Sequence, residues 1–215
     1  MLRAILWDND GVLVDTERLY FQAGRETLAS MGVELTPEQF AEISLKQGES
    51  VFQLLPEQDP ETIERLRQDR NRRYSDLLGG GGLVIDGAEA VLQQLHGQVA
   101  MGVVTGSRRD HFEIIHATTN LLRFFDFVVT REDYNRSKPD PDAYQTAMRQ
   151  QGLSPEACVV VEDSERGCAA AVAAGIRCLV VPNPMTGAGD YPGAYRILDG
   201  IEAVVPAVRK VGISP

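Results

Sequence analysis

Residues 2–15 read LRAILWDNDGVLVD, and the fold class follows from this stretch. Its apolar part, 2–7, predicts a short buried strand that ends directly in acidic residues and a glycine. Comparable apolar runs come much later in the chain, at 99–104, 126–130, 158–161 and 177–181. Helical patterns alternate with these runs, at roughly 87–96, 108–117, 140–151 and 165–174. The alternation predicts an α/β fold with a Rossmann-like parallel sheet as its core and helices on both faces.

A long helical insertion separates the first strand from the others. Residues 16–84 contain helical signals and no convincing strand, and the run GGGG at 79–82 ends the last helical pattern. Because a single strand is not stable alone, strand 2–7 must pair with the later strands. We therefore predict an α/β core formed by 1–15 and 85–215, with 16–84 inserted after the first strand as an all-helical cap. The flexible glycine crossing suits a cap that acts as a mobile lid; the alternative is a fixed helical subdomain with a loose glycine loop.

The composition is that of an acidic globular protein. The 215 residues include 21 Lys and Arg against 31 Asp and Glu, which gives a formal net charge of −10. Nucleic-acid and anionic-membrane binders need a basic surface, so we expect neither partner. The three cysteines lack CxxC spacing and indicate free thiols in a reducing compartment. No leader-like or membrane-spanning apolar run is visible, so we expect a cytoplasmic protein. We also expect a monomer or weak dimer.

Acidic residues follow the first strand, where ligands of open α/β sheets bind. Asp8 and Asp10 are two residues apart and would face the same crevice. Like charges this close repel, so the pair needs a cation or a shared proton, and Mg²⁺ prefers such oxygen ligands. One aspartate would then serve as a nucleophile and the other as a general acid and base. The alternative is an acidic turn without chemistry.

Three further features follow later strands or begin helices. The segment Thr105, Gly106 and Ser107 offers a hydroxyl and backbone amides that suit a phosphate, although Ser107 is also a good helix cap. The sequence KPDP at 138–141 would aim Lys138 at one point, where its ammonium would hold a phosphate; the alternative is a surface lysine. The pair Glu162 and Asp163 would complete a magnesium site with Asp8, or would merely cap a helix.

Taken together, DxDGVLVDTE, TGS, KPDP and EDSxxGxxAAxAAG resemble the haloacid dehalogenase-like superfamily of phosphotransferases, in the branch with a helical cap after the first strand. The resemblance covers essentially the whole chain. It implies that Asp8 is the nucleophile that forms an aspartyl-phosphate and that Asp10 is the general acid and base. The residue between these aspartates is often apolar in the family, whereas in this chain it is Asn9.

The resemblance also implies the remaining roles at this site. The phosphate would be held by Thr105, Gly106 and Lys138. Mg²⁺ would be held by the carboxylates of Asp8 and Asp163 and the main-chain carbonyl of Asp10, with Glu162 assisting or acting through water.

Substrate choice is expected to depend on the cap and on residues near its mouth. Lys46 begins a segment between two cap helices and would reach a substrate carboxylate or second phosphate; the alternative is a solvated lysine at a helix end. Ser107 and Arg108 would face the leaving group. His111 and His116 are in a helical pattern far from the acids in sequence, and we interpret them as structural.

We therefore predict a Mg²⁺-dependent phosphatase that acts on a small phosphorylated metabolite, either a sugar phosphate or a phosphorylated acid. The first alternative is a phosphohexomutase of the β-phosphoglucomutase type, an isomerase that would use Asp8 and Asp10 but return the phosphoryl group to the sugar. The TGS segment favours hydrolysis, because mutase relatives tend to carry a Ser-Ala-Ser-like segment there. A more remote alternative is a non-catalytic phosphate-binding module.

Overall fold

A computed structural model describes residues 1–187 and 189–212. Its centre is a six-stranded sheet in the order β3-β2-β1-β4-β5-β6, and every neighbouring pair is parallel. The strands are β1 Ala4–Trp7, β2 Ala100–Val104, β3 Phe127–Val129, β4 Cys158–Glu162, β5 Arg177–Val180 and β6 Arg196–Ile197. The first strand lies in the middle, with Trp7 level with Val103 and Val161. The strand order therefore reverses beside β1, which creates a crevice at the carboxyl ends of the strands.

Five of the six strands match the sequence prediction, with ends that differ by two residues at most. The exception is β6, which consists of two exposed residues and carries no apolar run that a pattern could detect. The predicted parallel α/β fold is confirmed.

Helices cover both faces of the sheet, as predicted. They are α4 Ala88–Leu95, α5 Arg109–Thr119, α6 Asp142–Gln151, α7 Glu165–Ala173 and α8 Val204–Val211. Successive side chains of a strand point to opposite faces. Ile5 and Trp7 of β1 accordingly pack in a core with residues of α4, α5 and α8, whereas Ala4 and Leu6 pack in a second core with α6 and α7. The sequence analysis did not predict α8.

The residues between β1 and α4 form only helical elements. These are α1 Glu17–Ala29, α2 Pro37–Phe40, a π-helical turn Ala41–Gln47, a 3₁₀ turn Val51–Leu54 and α3 Pro60–Leu78. Thr36 and Gln39 form a capping box at the start of α2. This helical insertion has an apolar cluster of its own, formed by Leu28, Leu35, Phe40, Ile43, Val51, Phe52 and Leu55. We refer to it as the cap and to these seven residues as the cap cluster.

The two chain crossings between cap and core lie side by side. The Asp15 amide donates to the Leu83 carbonyl at 2.8 Å, and the Ile85 amide donates to the Leu13 carbonyl at 3.0 Å. Val14 and Val84 form an antiparallel bridge between these contacts. The division at 15/16 and 84/85 remains a prediction. Within the described residues, no helix has both the length and the apolar character needed to cross a bilayer.

Candidate active site

Asp8 follows β1 directly and pairs with a buried lysine. Its Oδ1 accepts a hydrogen bond from Lys138 Nζ at 2.6 Å. The same ammonium donates to Glu162 Oε1 at 2.6 Å and to the Val104 carbonyl at 3.1 Å, so three acceptors use its three donors. Burial alone would lower the pKa of Lys138, but Asp8 and Glu162 outweigh burial and raise that pKa above its usual value. Lys138 is therefore a fixed positive charge beside Asp8.

Glu162 orients this lysine. Its Oε1 also accepts from the Tyr144 hydroxyl at 2.6 Å, and its Oε2 accepts from the Ser164 hydroxyl and the Asp163 amide, both at 3.2 Å. Both carboxylate oxygens are therefore engaged by protein donors, and the side chain is completely buried. This environment fits the assisting role predicted for Glu162 better than that of a direct metal ligand.

The donor set at this edge of the sheet fits a divalent cation. Asp8, Glu162 and Asp163 each offer a carboxylate oxygen, and these oxygens lie within 4.8 Å of one another. Burial raises the pKa of Asp8 well above its usual range, Glu162 adds to the rise, and Lys138 opposes it. Burial likewise raises the pKa of Asp163, and Glu17 and Glu162 add to that rise. A divalent cation with oxygen ligands, such as Mg²⁺, would relieve this repulsion.

Asp10 is held by three hydroxyl groups from two segments. Its Oδ1 accepts from Thr16 Oγ1 at 2.5 Å, and its Oδ2 accepts from Thr105 Oγ1 at 3.1 Å and Ser107 Oγ at 2.8 Å. Thr105 was predicted to hold a phosphate and Ser107 to face the leaving group, and the structure places both hydroxyls on Asp10. Thr16 immediately precedes α1, so the cap junction also contacts Asp10.

A cavity of about 520 Å³ lies between the core and the cap. Seven residues predicted for the site line it: Asp8, Asp10, Gly106, Ser107, Arg108, Lys138 and Asp163. Thr105 and Glu162 are completely buried beneath this surface. The cap contributes Tyr20, Arg70, Asn71 and Tyr74, among others. Apart from Lys46, the predicted residues therefore converge on one cavity, and their individual roles remain predictions.

Lys46 is placed differently from the prediction. In the described part of the chain, the side chains that line the cavity do not include Lys46. The π-helical turn buries Ile43 and leaves Lys46 more than half exposed, with Glu42 Oε2 at 3.7 Å from its Nζ. The structure thus supports the solvated alternative, and a substrate contact by Lys46 is not proposed further. Arg108 does line the cavity, where it pairs with Asp110 at 2.8 Å.

Three supporting residues were given no role at the site by the sequence analysis. Asn183 donates to Asp163 Oδ2 at 2.8 Å and to Glu17 Oε2 at 3.0 Å. Partial burial raises the pKa of the Glu17 carboxyl to about 7. His116 Nε2 lies 2.9 Å from Oδ1 of Asn9, the residue between Asp8 and Asp10 in the sequence. The position of Asn183 after a strand was a usable signal, whereas nothing in the sequence connects His116 with a residue 107 positions away.

Comparisons with known proteins agree with this geometry. A family model described as haloacid dehalogenase-like hydrolase matches residues 5–181. The chain is 29% identical to the protein CbbY of Cereibacter sphaeroides, over 93% of this chain and 92% of that protein. It is 30% identical to a phosphorylated carbohydrates phosphatase of Thermotoga maritima, over 81% of this chain and 82% of that one.

A solved structure shows the same fold over nearly the whole chain. It is CbbY from Rhodobacter sphaeroides in complex with phosphate, which is 28% identical and superposes with a TM-score of 0.81. The match covers 94% of this chain and 95% of that one. With the acid pair, the lysine and the cavity in one place, these findings agree on the family: the chain belongs to the haloacid dehalogenase-like hydrolases, in their phosphatase branch.

Proposed function

We propose that this phosphatase hydrolyses a small phosphorylated metabolite, a sugar phosphate or a phosphorylated acid, through an aspartyl-phosphate on Asp8, with Mg²⁺ bound. The observation that carries the proposal is the placement of Asp8. It lies at the end of the central strand, lines the cavity beside Asp10, and has one oxygen fixed by Lys138 at 2.6 Å. A nucleophile held between a fixed cation and a second acid is what in-line phosphoryl transfer requires.

The proposed reaction has two steps. A carboxylate oxygen of Asp8 attacks the phosphorus, and the bond from phosphorus to the sugar oxygen breaks as Asp10 gives that oxygen a proton. Asp10, now a carboxylate, takes a proton from a water molecule. This water attacks the phosphorus, the bond to Asp8 breaks, and inorganic phosphate leaves. The hydroxyls of Thr16, Thr105 and Ser107 orient Asp10 for both proton transfers.

Asp8 and Asp163 are the carboxylates that would hold Mg²⁺, with Glu162 assisting through Lys138. When bound, the ion neutralises charge on the transferring phosphoryl group. Lys138 contributes a further positive charge that does not depend on the ion. Together they would allow an anionic substrate to approach a cluster of carboxylates in a protein of net charge −10.

The far wall of the cavity supports a polar, anionic substrate. Arg70 from α3 lies 4.8 Å from the Tyr20 ring centroid and donates to Asn71 Oδ1 at 2.9 Å. Within the described residues it forms no ion pair, so its charge is available in the cavity. Hydroxyl and amide groups nearby suit a sugar. The relatives named for phosphorylated carbohydrates, and for fructose 1-phosphate in Escherichia coli, support the same substrate class.

The test is phosphate release from a panel of sugar phosphates and phosphorylated acids in the presence of Mg²⁺. We expect wild type to release phosphate from at least one sugar phosphate and the variant Asp8→Asn to release none, because an amide is a poor nucleophile. The matched control is Asp76→Asn, an exposed aspartate on α3, which should keep full activity. Circular dichroism checks that both variants are folded.

Two outcomes would contradict the proposal. Phosphate release by pure Asp8→Asn would remove Asp8 from the reaction. Conversion of a sugar 1-phosphate to the 6-phosphate without net phosphate release would show a mutase instead of a hydrolase.

A further inference from the structure

The loop after β5 places an amide on the proposed metal-binding edge. Asn183 Nδ2 lies 2.8 Å from Asp163 Oδ2 and 3.0 Å from Glu17 Oε2. The other side of the same amide is fixed, because Asn183 Oδ1 accepts from the Met185 amide at 2.8 Å and the Thr186 amide at 3.0 Å. Carbonyl oxygens cannot donate, so the NH₂ group must face the two carboxylates. The turn thus directs both N–H donors at acids.

The same loop contacts the cap at two independent points. Glu17, which accepts from Asn183, is the first residue of α1 and therefore belongs to the cap. The side chain of Met185 is partly buried and packs against the cap cluster. A shift of the cap would consequently change the contacts of both Asn183 and Met185.

Asp163 is closely enclosed on the side of this loop. A Cβ atom at Gly11 would lie 2.4 Å from Asp163 Oδ2 and 2.5 Å from Asn183 Nδ2. The bare backbone of Gly11 therefore closes one side of the contact, and the Asn183 amide closes another. Since Asp163 Oδ2 has little room to rotate, its other oxygen is directed by this contact.

We propose that Asn183 is a positioning residue that holds the Asp163 carboxylate ready for the cation and that Glu17 couples this position to the cap. The proposal rests on the proposed function, because it needs a divalent cation at Asp8 and Asp163. Donors behind a ligating carboxylate typically change metal affinity about 10–100-fold when they are removed. If Asn183 served only the turn, its removal would alter the loop, but the effects of Asn183 and Glu17 on Mg²⁺ affinity would be independent of each other.

The experiment measures Mg²⁺ binding to metal-free protein by isothermal titration calorimetry. The variants are Asn183→Ala, Glu17→Ala and the double variant, with Gln94→Ala as control, because that exposed amide donates only to its own helix. We expect Asn183→Ala to raise the Mg²⁺ dissociation constant about 10-fold or more. Both side chains share one contact, so their effects should not multiply. We expect the Mg²⁺ dissociation constant of the double variant to lie within about 2-fold of that of the weaker-binding single variant.

Each result decides a definite point. An unchanged Mg²⁺ affinity in Asn183→Ala overturns the positioning role, and multiplying effects in the double variant overturn the coupling to Glu17. If wild type binds no Mg²⁺, the metal part of the proposed function fails as well. Should Asn183→Ala not fold, Asn183→Ser replaces it, since a hydroxyl can still accept from the turn amides but cannot reach both carboxylates. The same loss of affinity is expected.

Discussion

At the scale of single residues, the site depends on charges that are buried in pairs. Asp8, Lys138 and Glu162 form a continuous chain of ionic hydrogen bonds, each 2.6 Å long. Burying three charged groups is costly, and replacing such a group by well-packed apolar side chains is often neutral for stability. Removing one member leaves the others uncompensated, which typically costs about 4 kcal/mol. The chain of charges is therefore better explained by phosphoryl transfer than by folding.

His116 predicts a pH dependence of stability. Burial lowers the pKa of His116 from its ordinary 6.5 to about 4 in the folded protein. Between these pH values the unfolded chain binds more protons than the folded chain, so stability is lost as the pH falls. We expect the protonation of His116 to lower the free energy of unfolding by about 2 kcal/mol as the pH falls from 7 to 4.5. The measurement is urea unfolding across this range for wild type and His116→Gln, which should lose less stability on acidification.

The control for this prediction is His96→Gln. His96 is exposed directly after α4, where its ring lies 5.6 Å from that of Phe124. Its replacement should leave the acid-dependent loss of stability unchanged. Equal pH slopes for wild type and His116→Gln would show that His116 is not responsible.

At the scale of elements, the start of α7 is shaped by its closeness to β4. Gly167 lies so near Glu162 that an added Cβ atom would be 1.9 Å from Glu162 Cδ. Small residues along the helix, such as Ala170 and Ala171, are fully buried against the sheet. This close packing keeps Glu162 against Lys138 and presents Asp163 at the cavity. The helix α7 and the strand β4 therefore position Glu162 and Asp163 jointly.

Gly167→Ala should consequently destabilise the protein. The methyl group must displace Glu162, so we expect a loss of about 2–4 kcal/mol of unfolding free energy and of most activity. Gly24→Ala in α1 is the matched control, because its Cβ atom would meet Leu35 Cδ2 at an ordinary 3.5 Å. That variant should gain about 0.5–1 kcal/mol, since alanine favours a helix interior. Equal unfolding midpoints for the two variants would contradict the explanation.

At the scale of the whole molecule, the acidic charge converges on the gap between core and cap. Asp8, Asp10, Glu17 and Asp163 all line the same cavity, in a chain of net charge −10. Binding of a cation there stabilises the folded state, because the unfolded chain has no assembled site. Metal binding, stability and activity should therefore change together.

Mg²⁺ is accordingly expected to raise the thermal midpoint. When Mg²⁺ is at about 10-fold its dissociation constant, the free energy of unfolding rises by about 1.4 kcal/mol. The thermal midpoint then rises on the order of 3–6 °C for a chain of this size. EDTA should abolish both the gain and the phosphatase activity, and added Mg²⁺ should restore them. Asp163→Asn should lose most of the thermal shift. An equal shift with NaCl at the same ionic strength would indicate general screening instead of a site.

Local structure and the place where most candidate residues meet could be predicted from the sequence. The apolar runs 2–7 and 158–161 end at Asp8 and Glu162, and reading a strand from such a run uses only local sequence. The alternation of strands and helices then required a parallel sheet, whose strands end at a common edge. The candidate residues at that edge were therefore predictable without coordinates. No pattern in the sequence indicated the π-helical turn Ala41–Gln47, in which Lys46 is more than half exposed.

Contacts that join distant segments depend on the tertiary structure. Asn9 and His116 are 107 residues apart, and Asn183 and Glu17 are 166 residues apart. No periodicity extends over such distances, and each of these side chains also has an ordinary role in a turn or helix. Their pairing depends on the strand order and on where the cap rests against the core. Those are global properties, set by how the two apolar cores and the cap cluster pack together.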